Sequence, residues 1–104
     1  MAPNGIISTI AGGDQPGYAG DGGPAASAQF YDPEGLATDA SGSLYIADYA
    51  NSCIRRIASG TISTIAGVCG QHGFDGDGLP ATSSRLNGPT DVAVDSLGNL
   101  YIVD

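Results

Sequence analysis

Residues 35–48, GLATDASGSLYIAD, and residues 91–104, DVAVDSLGNLYIVD, decide the fold of this chain. In each stretch a short strand ends in Asp, a turn of type I character with a glycine follows, and a second apolar strand leads to a closing Asp. A strand that is apolar on both faces is typical of the interior of a stack of sheets. Two such hairpins at an offset of 56 residues indicate an internal repeat.

The repeat extends well beyond the hairpin. Residues 5–12, GIISTIAG, recur as residues 60–67, GTISTIAG, and residues 17–30 recur as residues 73–86. Between the hairpin and the next copy lie a third strand, CIRRI, and a fourth, TISTIA, which is rich in β-branched residues. The repeat unit of about 55 residues is therefore predicted to be a four-stranded antiparallel meander.

Two long connections join the predicted sheets, over residues 13–32 and 68–88. Each carries an Asp and then a Pro, followed by small residues. Such a pattern favours one or two turns of helix, because Pro suits the first helical position and Asp suits the positive end of the helix dipole. Phe30 and Leu86 are expected to hold the connections on the sheets.

Composition and charge agree with an all-β chain and exclude several functions. The 104 residues include 17 Gly and 6 Pro, 41% are hydrophobic and only 13% are charged, which argues against disorder. A net charge of -8 with three arginines and no lysine disfavours nucleic acid and anionic membranes as partners. We find no signal peptide in these residues and expect a soluble chain, whose parent protein could be extracellular or periplasmic and bacterial.

The motifs P-E-G-L-A-T-D at residues 33–39, G-S-L-Y-I-A-D at 42–48, Asn51 and I-R-R-I at 54–57 resemble the NHL repeat. The linking element GYAGDGGPA is similar to that of long-loop bacterial members. The resemblance implies an all-β fold of β-propeller blades with short helical turns in the inter-blade loops, commonly six blades to a ring. The chain then divides into an outermost strand of a preceding blade (1–12), an inter-blade loop (13–34), a complete blade (35–67), a second loop (68–90) and the first two strands of the next blade (91–104).

A single blade cannot bury both of its apolar faces, so this reading predicts a homo-oligomer whose ring is completed by assembly. Three copies with two blades each would close a six-bladed ring, and antiparallel pairing of two second strands across a two-fold axis is the competing arrangement. The ends of the chain also suggest a fragment made for the study of propeller assembly or evolution. The expected assembly edges are Ile6, Ile7, Ile10, Leu100, Tyr101 and Ile102.

The acidic glycine loops raise the question of calcium. Asp21, Asp75 and Asp77 are the candidate ligands, but the chain has only a fragment of an EF-hand loop, and turn or helix-start roles explain the same residues without a metal. No cofactor is therefore predicted.

Four further aspartates, Asp39, Asp48, Asp95 and Asp104, end strands and are expected to bond the backbone of their own turns. The same four residues could alternatively gather at one rim of a ring, where they would hold a cation or a polar ligand. We expect Arg55 and Arg56 to pair with these carboxylates, and Tyr45 and Tyr101 to pack between blades with their hydroxyls on polar partners.

Support for catalysis is thin, so no catalytic residue is predicted. His72 is the single histidine and is expected to be a solvated loop residue, while Cys53 is expected to be buried and Cys69 free, since sequence alone assigns no disulfide. The predicted function is that of a non-enzymatic scaffold that binds copies of itself, its parent binding proteins or glycans. The alternative is part of a metal-dependent lyase or hydrolase, which some propellers of similar sequence are.

Overall fold

The computed structural model describes residues 5, 8–13, 15–73, 75 and 80–104, and shows two antiparallel sheets. The larger sheet has the order β1-β2-β3-β4 and is called the first blade here. The smaller sheet pairs β5 with β6 and is called the second hairpin. The strands are β1 (Pro33–Thr38), β2 (Leu44–Asp48), β3 (Cys53–Ala58), β4 (Thr61–Gly67), β5 (Asp91–Val94) and β6 (Leu100–Val103). The predicted all-β architecture and four-stranded antiparallel meander are confirmed.

Tight turns set the register of the first blade. At the β1–β2 turn the Asp39 carboxylate accepts hydrogen bonds from the backbone N–H groups of Ser41 and Ser43, at 2.9 and 3.0 Å. Ser59 and Gly60, both at positive φ, reverse the chain between β3 and β4. Two successive residues at positive φ give a turn whose twist matches that of the flanking strands.

The first blade buries apolar side chains on both faces. Its front face carries Ile46, Ile57 and Ile62, which pack against Ala25 and Ala28 of the first connection. Its rear face carries Ala47, Ile54 and Ala66, which form a second cluster with Val92 of the second hairpin. The first blade is thus the central layer, with a connection in front of it and a hairpin behind it.

The two connections contain the helical turns that the sequence predicts, at the lower limit of the one or two turns expected and in the 3-10 form. Each has one three-residue 3-10 turn, at Ala25–Ser27 and Ala81–Ser83, directly after a proline. No α-helix forms in the described part of the chain, and no helix there is long and apolar enough to cross a membrane. The residues after each turn, Ala28 and Ser84, are already extended, which ends the helical path.

The strand expected at residues 6–11 is not formed where the structure describes it. Residues 8–11 have no regular secondary structure, and Ile6 and Ile7 lie outside the described residues. Ala11 nevertheless packs at the border of the front-face cluster, beside Phe30.

Equivalent residues of the two repeat copies make equivalent hydrogen bonds. Gly17 N–H bonds Phe30 O at 3.2 Å, as Gly73 N–H bonds Leu86 O at 3.0 Å. The Asp39 turn bonds are likewise repeated around Asp95. The offset of 56 residues therefore relates the two copies in space as well as in sequence.

We predict that Ile62→Ala lowers the free energy of unfolding by about 2–5 kcal/mol, because the Ile62 side chain is fully buried and its loss leaves a cavity. Urea unfolding followed by circular dichroism measures the change. Leu97→Ala is the matched control, since Leu97 is 85% exposed, and it should change the stability by less than about 0.5 kcal/mol. Equal effects of the two substitutions would contradict the assigned core.

Candidate functional site

A buried ion pair joins the second and third strands of the first blade. Arg55 Nη1 lies 3.2 Å from Asp48 Oδ2, and neither side chain is exposed to solvent. Arg55 also donates to Gln29 O at 2.8 Å and to Asp21 Oδ1 at 3.0 Å, and its guanidinium lies 5.3 Å from the centre of the Phe30 ring. Arg55, which lies on β3, thus links β2 to the first connection.

The Asp48 carboxylate receives several donors. Tyr31 N–H donates to Oδ1 at 2.8 Å, and Asn51 Nδ2 donates to Oδ2 at 2.8 Å. Burial raises the pKa of Asp48 above its usual value, although the hydrogen bonds from Asn51, Tyr31 and Arg55 act in the opposite direction. Desolvation therefore offsets much of the attraction within the pair.

The turn that follows β2 contacts both connections. Asn51 Nδ2 donates to Gly17 O of the first connection, and Asn51 O accepts from Gly70 N–H of the second, each at 2.7 Å. Ser52 is buried in the left-handed conformation, with a φ of 56°. Its Oγ accepts from Gly88 N–H at 3.0 Å and bonds Nδ1 of His72.

Cys53 and Cys69 form a disulfide, so the expectation of a free Cys69 is wrong. Cys53 pairs with Gly67 in the β3–β4 ladder, and the short turn after Gly67 brings Cys69 back until the two Cα atoms are 5.0 Å apart. This separation is within the range that a disulfide bridges. The bond adds a covalent link between the start of β3 and the second connection.

The calcium candidates lie beside arginine. Asp21 contacts Arg55 and accepts a hydrogen bond from Thr64, and Asp75 binds Arg85 with an Nη2–Oδ1 distance of 2.7 Å. Asp77 lies outside the described residues. Within the part of the chain that is described, no three His, Cys, Asp or Glu side chains gather into a group able to hold a metal ion. Each described candidate therefore already has a cationic partner.

The strand-ending aspartates have two different roles. Asp39 and Asp95 bond their own turns, as expected, and also accept from the hydroxyls of Tyr45 and Tyr101 at 2.9 and 3.1 Å. The hydrogen bond from Tyr45 is the largest cause that holds the pKa of Asp39 below its usual value. The pKa of Asp95 is also lowered, and there the largest cause is the hydrogen bond from the Asn99 side chain.

Asp48 and Asp104 instead accept backbone N–H groups from the connection before the hairpin, those of Tyr31 and Asn87. The expectation of own-turn backbone bonds is therefore wrong for these two residues. They hold each connection against the second strand of its repeat.

The predictions for Arg56, for the two tyrosines and for His72 have separate outcomes. Arg56 donates to Ser43 Oγ at 3.3 Å and lies over the Tyr45 ring. Among the described residues, the expected ion pair with a strand-ending aspartate forms at Arg55 and not at Arg56. Tyr45 packs beside the rear-face cluster as expected, whereas Tyr101 is 58% exposed. His72 is exposed, as expected of a loop residue, but its bond to Ser52 was not anticipated.

Among the residues that the structure describes, two apolar surfaces are exposed, one on each side of the unit. In front of the first blade, a groove of about 400 Å³ is bordered by Ile10, Phe30, Leu36 and Leu44, with Leu36 62% exposed. Behind the second hairpin, Ala93, Tyr101 and Val103 are exposed. We call these the front groove and the hairpin surface. They include the predicted edge residues Ile10 and Tyr101, while Leu100 and Ile102 are partly buried against the first blade.

We predict that Arg55→Met destabilises the fold by about 3–5 kcal/mol, because it leaves the Asp48 carboxylate buried without its cation. The double variant Asp48→Leu with Arg55→Met should lower the free energy of unfolding by at least about 1 kcal/mol less than the two single substitutions added together. Urea unfolding of all four proteins gives this coupling. Arg85→Met, at an exposed pair, should have a much smaller effect. Additive single effects would contradict the coupling of the buried pair.

We predict that the exposed pair of Asp75 and Arg85 makes the fold sensitive to acid. The hydrogen bonds from Arg85 lower the pKa of Asp75 from 3.8 to about 2. The pKa of Asp75 is thus lower in the folded chain than in the unfolded chain. The contribution of the Asp75–Arg85 pair to the free energy of unfolding is therefore complete above pH 3.8 and is lost as the pH falls towards 2. Asp75→Asn should therefore lower the melting temperature at pH 7 but not at pH 2. A difference that persists at pH 2, or one that the exposed Glu34→Gln reproduces, would contradict this.

Comparison with known proteins identifies the repeat. A family model for the NHL repeat matches residues 30–57. Teneurin-1 of Mus musculus is 35% identical over 95 residues, and teneurin-1 of Gallus gallus is 36% identical over 110 residues. These matches cover 84% and 94% of this chain but only 3% and 4% of the relatives, so the chain spans a small part of their length.

A solved structure covers the whole chain. It is a structural genomics protein of unknown function from Bacteroides thetaiotaomicron VPI-5482, which superimposes with a TM-score of 0.84 at 27% identity, over 26% of its own length. The matched repeat and the four-stranded blade agree with the sequence motifs. The chain belongs to the NHL-repeat family of β-propeller proteins.

Proposed function

We propose that this chain is a non-enzymatic scaffold of NHL blades that assembles with copies of itself. The observation that carries the proposal is the pair of exposed apolar surfaces, the front groove and the hairpin surface, on opposite sides of the two packed sheets. Exposed apolar patches of this kind mark contact sites. Three copies with two sheets each would complete a six-bladed ring.

Charge opposes assembly and makes it dependent on salt. Each chain carries a net charge of -8, so three chains in one ring repel each other. Salt screens this repulsion over about 10 Å at 0.1 M ionic strength. Assembly through apolar surfaces should therefore strengthen as salt is added.

In the assembled ring, the rims remain free to bind other molecules. Proteins or glycans are the partners that we propose for a longer parent protein.

Size-exclusion chromatography with light scattering tests the proposal. We predict a mass of three times 10.3 kDa at micromolar concentration, with a larger assembled fraction at high salt than at low salt. A monomer under both conditions would contradict self-assembly. A stable dimer would contradict the three-copy ring and favour two-fold pairing of β6 strands.

A further inference from the structure

We infer that Asn87 is a site of spontaneous deamidation, and that the hydrogen bond from Gly88 N–H to Ser52 Oγ slows this reaction in the folded chain. The inference goes beyond the proposed assembly and does not depend on it. It rests on the Asn–Gly pair at residues 87–88, where the second connection ends before β5, and on the contacts of the two backbone N–H groups of that pair.

Deamidation of an Asn–Gly pair uses the backbone nitrogen of the glycine as the nucleophile. Gly88 N attacks Asn87 Cγ, so that a new N–Cγ bond forms and the Cγ–Nδ2 bond breaks. Ammonia leaves with the proton that Gly88 N has lost. The resulting five-membered succinimide ring takes up one water molecule and opens to aspartate or to isoaspartate. Glycine favours the first step because no Cβ atom shields its nitrogen.

The position combines an accessible asparagine with a glycine that suits the fold. Asn87 is exposed, so its side-chain amide is in contact with water. Gly88 has a φ of 63°, and a Cβ atom on it would lie 3.0 Å from Tyr49 Cε2. The corresponding residues of the first copy are Tyr31 and Asp32, which carry no side-chain amide. The reactive pair is therefore a feature of the second copy and not of the repeat.

In the folded chain, a hydrogen bond occupies the attacking nitrogen. Gly88 N–H donates to Ser52 Oγ at 3.0 Å, and Ser52 is fully buried. Ser52 Oγ also bonds Nδ1 of His72. A neutral imidazole accepts the hydroxyl proton there, which leaves an oxygen lone pair for Gly88. Because the attack requires that Gly88 N lose its proton and turn towards Asn87 Cγ, the bond to Ser52 opposes the first step.

The modification would disturb the joint between the second connection and the second hairpin. Asn87 N–H donates to Asp104 Oδ1 at 2.7 Å, and the next N–H along the chain donates to Ser52. Isoaspartate lengthens the main chain between these two N–H groups by one atom, so both bonds cannot keep their geometry. Either product also adds a carboxylate to a residue that already binds the Asp104 carboxylate. The reaction therefore weakens the attachment of the second hairpin.

The first test compares the folded chain with the urea-unfolded chain in one buffer near neutral pH and at one temperature. Peptide mapping by mass spectrometry measures deamidation at Asn87 and separates it from the other Asn–Gly pair, Asn4–Gly5. We expect Asn87 to react at least about fivefold more slowly in the folded chain, the factor that one net hydrogen bond contributes. Asn99 is exposed and precedes Leu100, so it should stay unmodified in both samples.

A matched pair of variants tests the role of Ser52. Ser52→Gly removes the hydroxyl and keeps a residue that readily adopts the φ of 56° at this position. Deamidation of Asn87 should become about fivefold faster while the circular dichroism spectrum stays that of the unmodified chain. Ser59→Gly is the control, because Ser59 is also at positive φ, is exposed and lies in the β3–β4 turn, and it should leave the rate unchanged.

Each result decides the inference. An Asn87 that does not deamidate even in the unfolded chain would overturn the site. Equal rates in the folded and unfolded chains would overturn the protection. A folded Ser52→Gly variant with an unchanged or slower rate would do the same, and a slower rate would mean that Ser52 and His72 help to remove the Gly88 proton. If Ser52→Gly does not fold, the comparison of the folded and unfolded unmodified chain decides.

Discussion

The buried pair of Asp48 and Arg55 is the contact on which the rest of the structure depends. Arg55 reaches the first connection through Gln29 and Asp21. The turn after Asp48 reaches the second connection through Asn51 and Ser52, and the start of β3 reaches it through the Cys53–Cys69 disulfide. Both connections are therefore attached to one strand junction, and an unpaired charge there would cost several kcal/mol.

The repeat made most of the fold predictable from sequence. Glycine and aspartate at fixed offsets gave the turns, and the strands between them follow from β-branched and apolar residues. In the connections, local propensity indicated where the helical turns begin, at Pro24 and Pro80, and each continues for a single 3-10 turn. The packing of Ala25 and Ala28 against the sheet could not be read from local sequence.

The contacts of the site were harder to foresee because they join residues far apart in the chain. Arg55 and Asp21 are 34 residues apart, and Ser52 and His72 are 20 apart. No local spacing motif indicates either contact. The disulfide was missed because the Cys53–Cys69 separation depends on how the chain turns after Gly67. No calcium site was predicted in the acidic loops, but the arginine partners there, Arg55 for Asp21 and Arg85 for Asp75, were not foreseen.

The central claim is that the Asp48–Arg55 pair and the turn beside it hold both connections on the first blade. Hydrogen exchange measured by NMR on Arg55→Lys, which keeps the charge but loses the guanidinium donors to Gln29 and Asp21, tests it most directly. The amide protons of Tyr31 and Gly70 should lose protection, whereas the amide proton of Asp95, in the turn of the second hairpin, should keep it; unchanged protection of Tyr31 and Gly70 would contradict the claim.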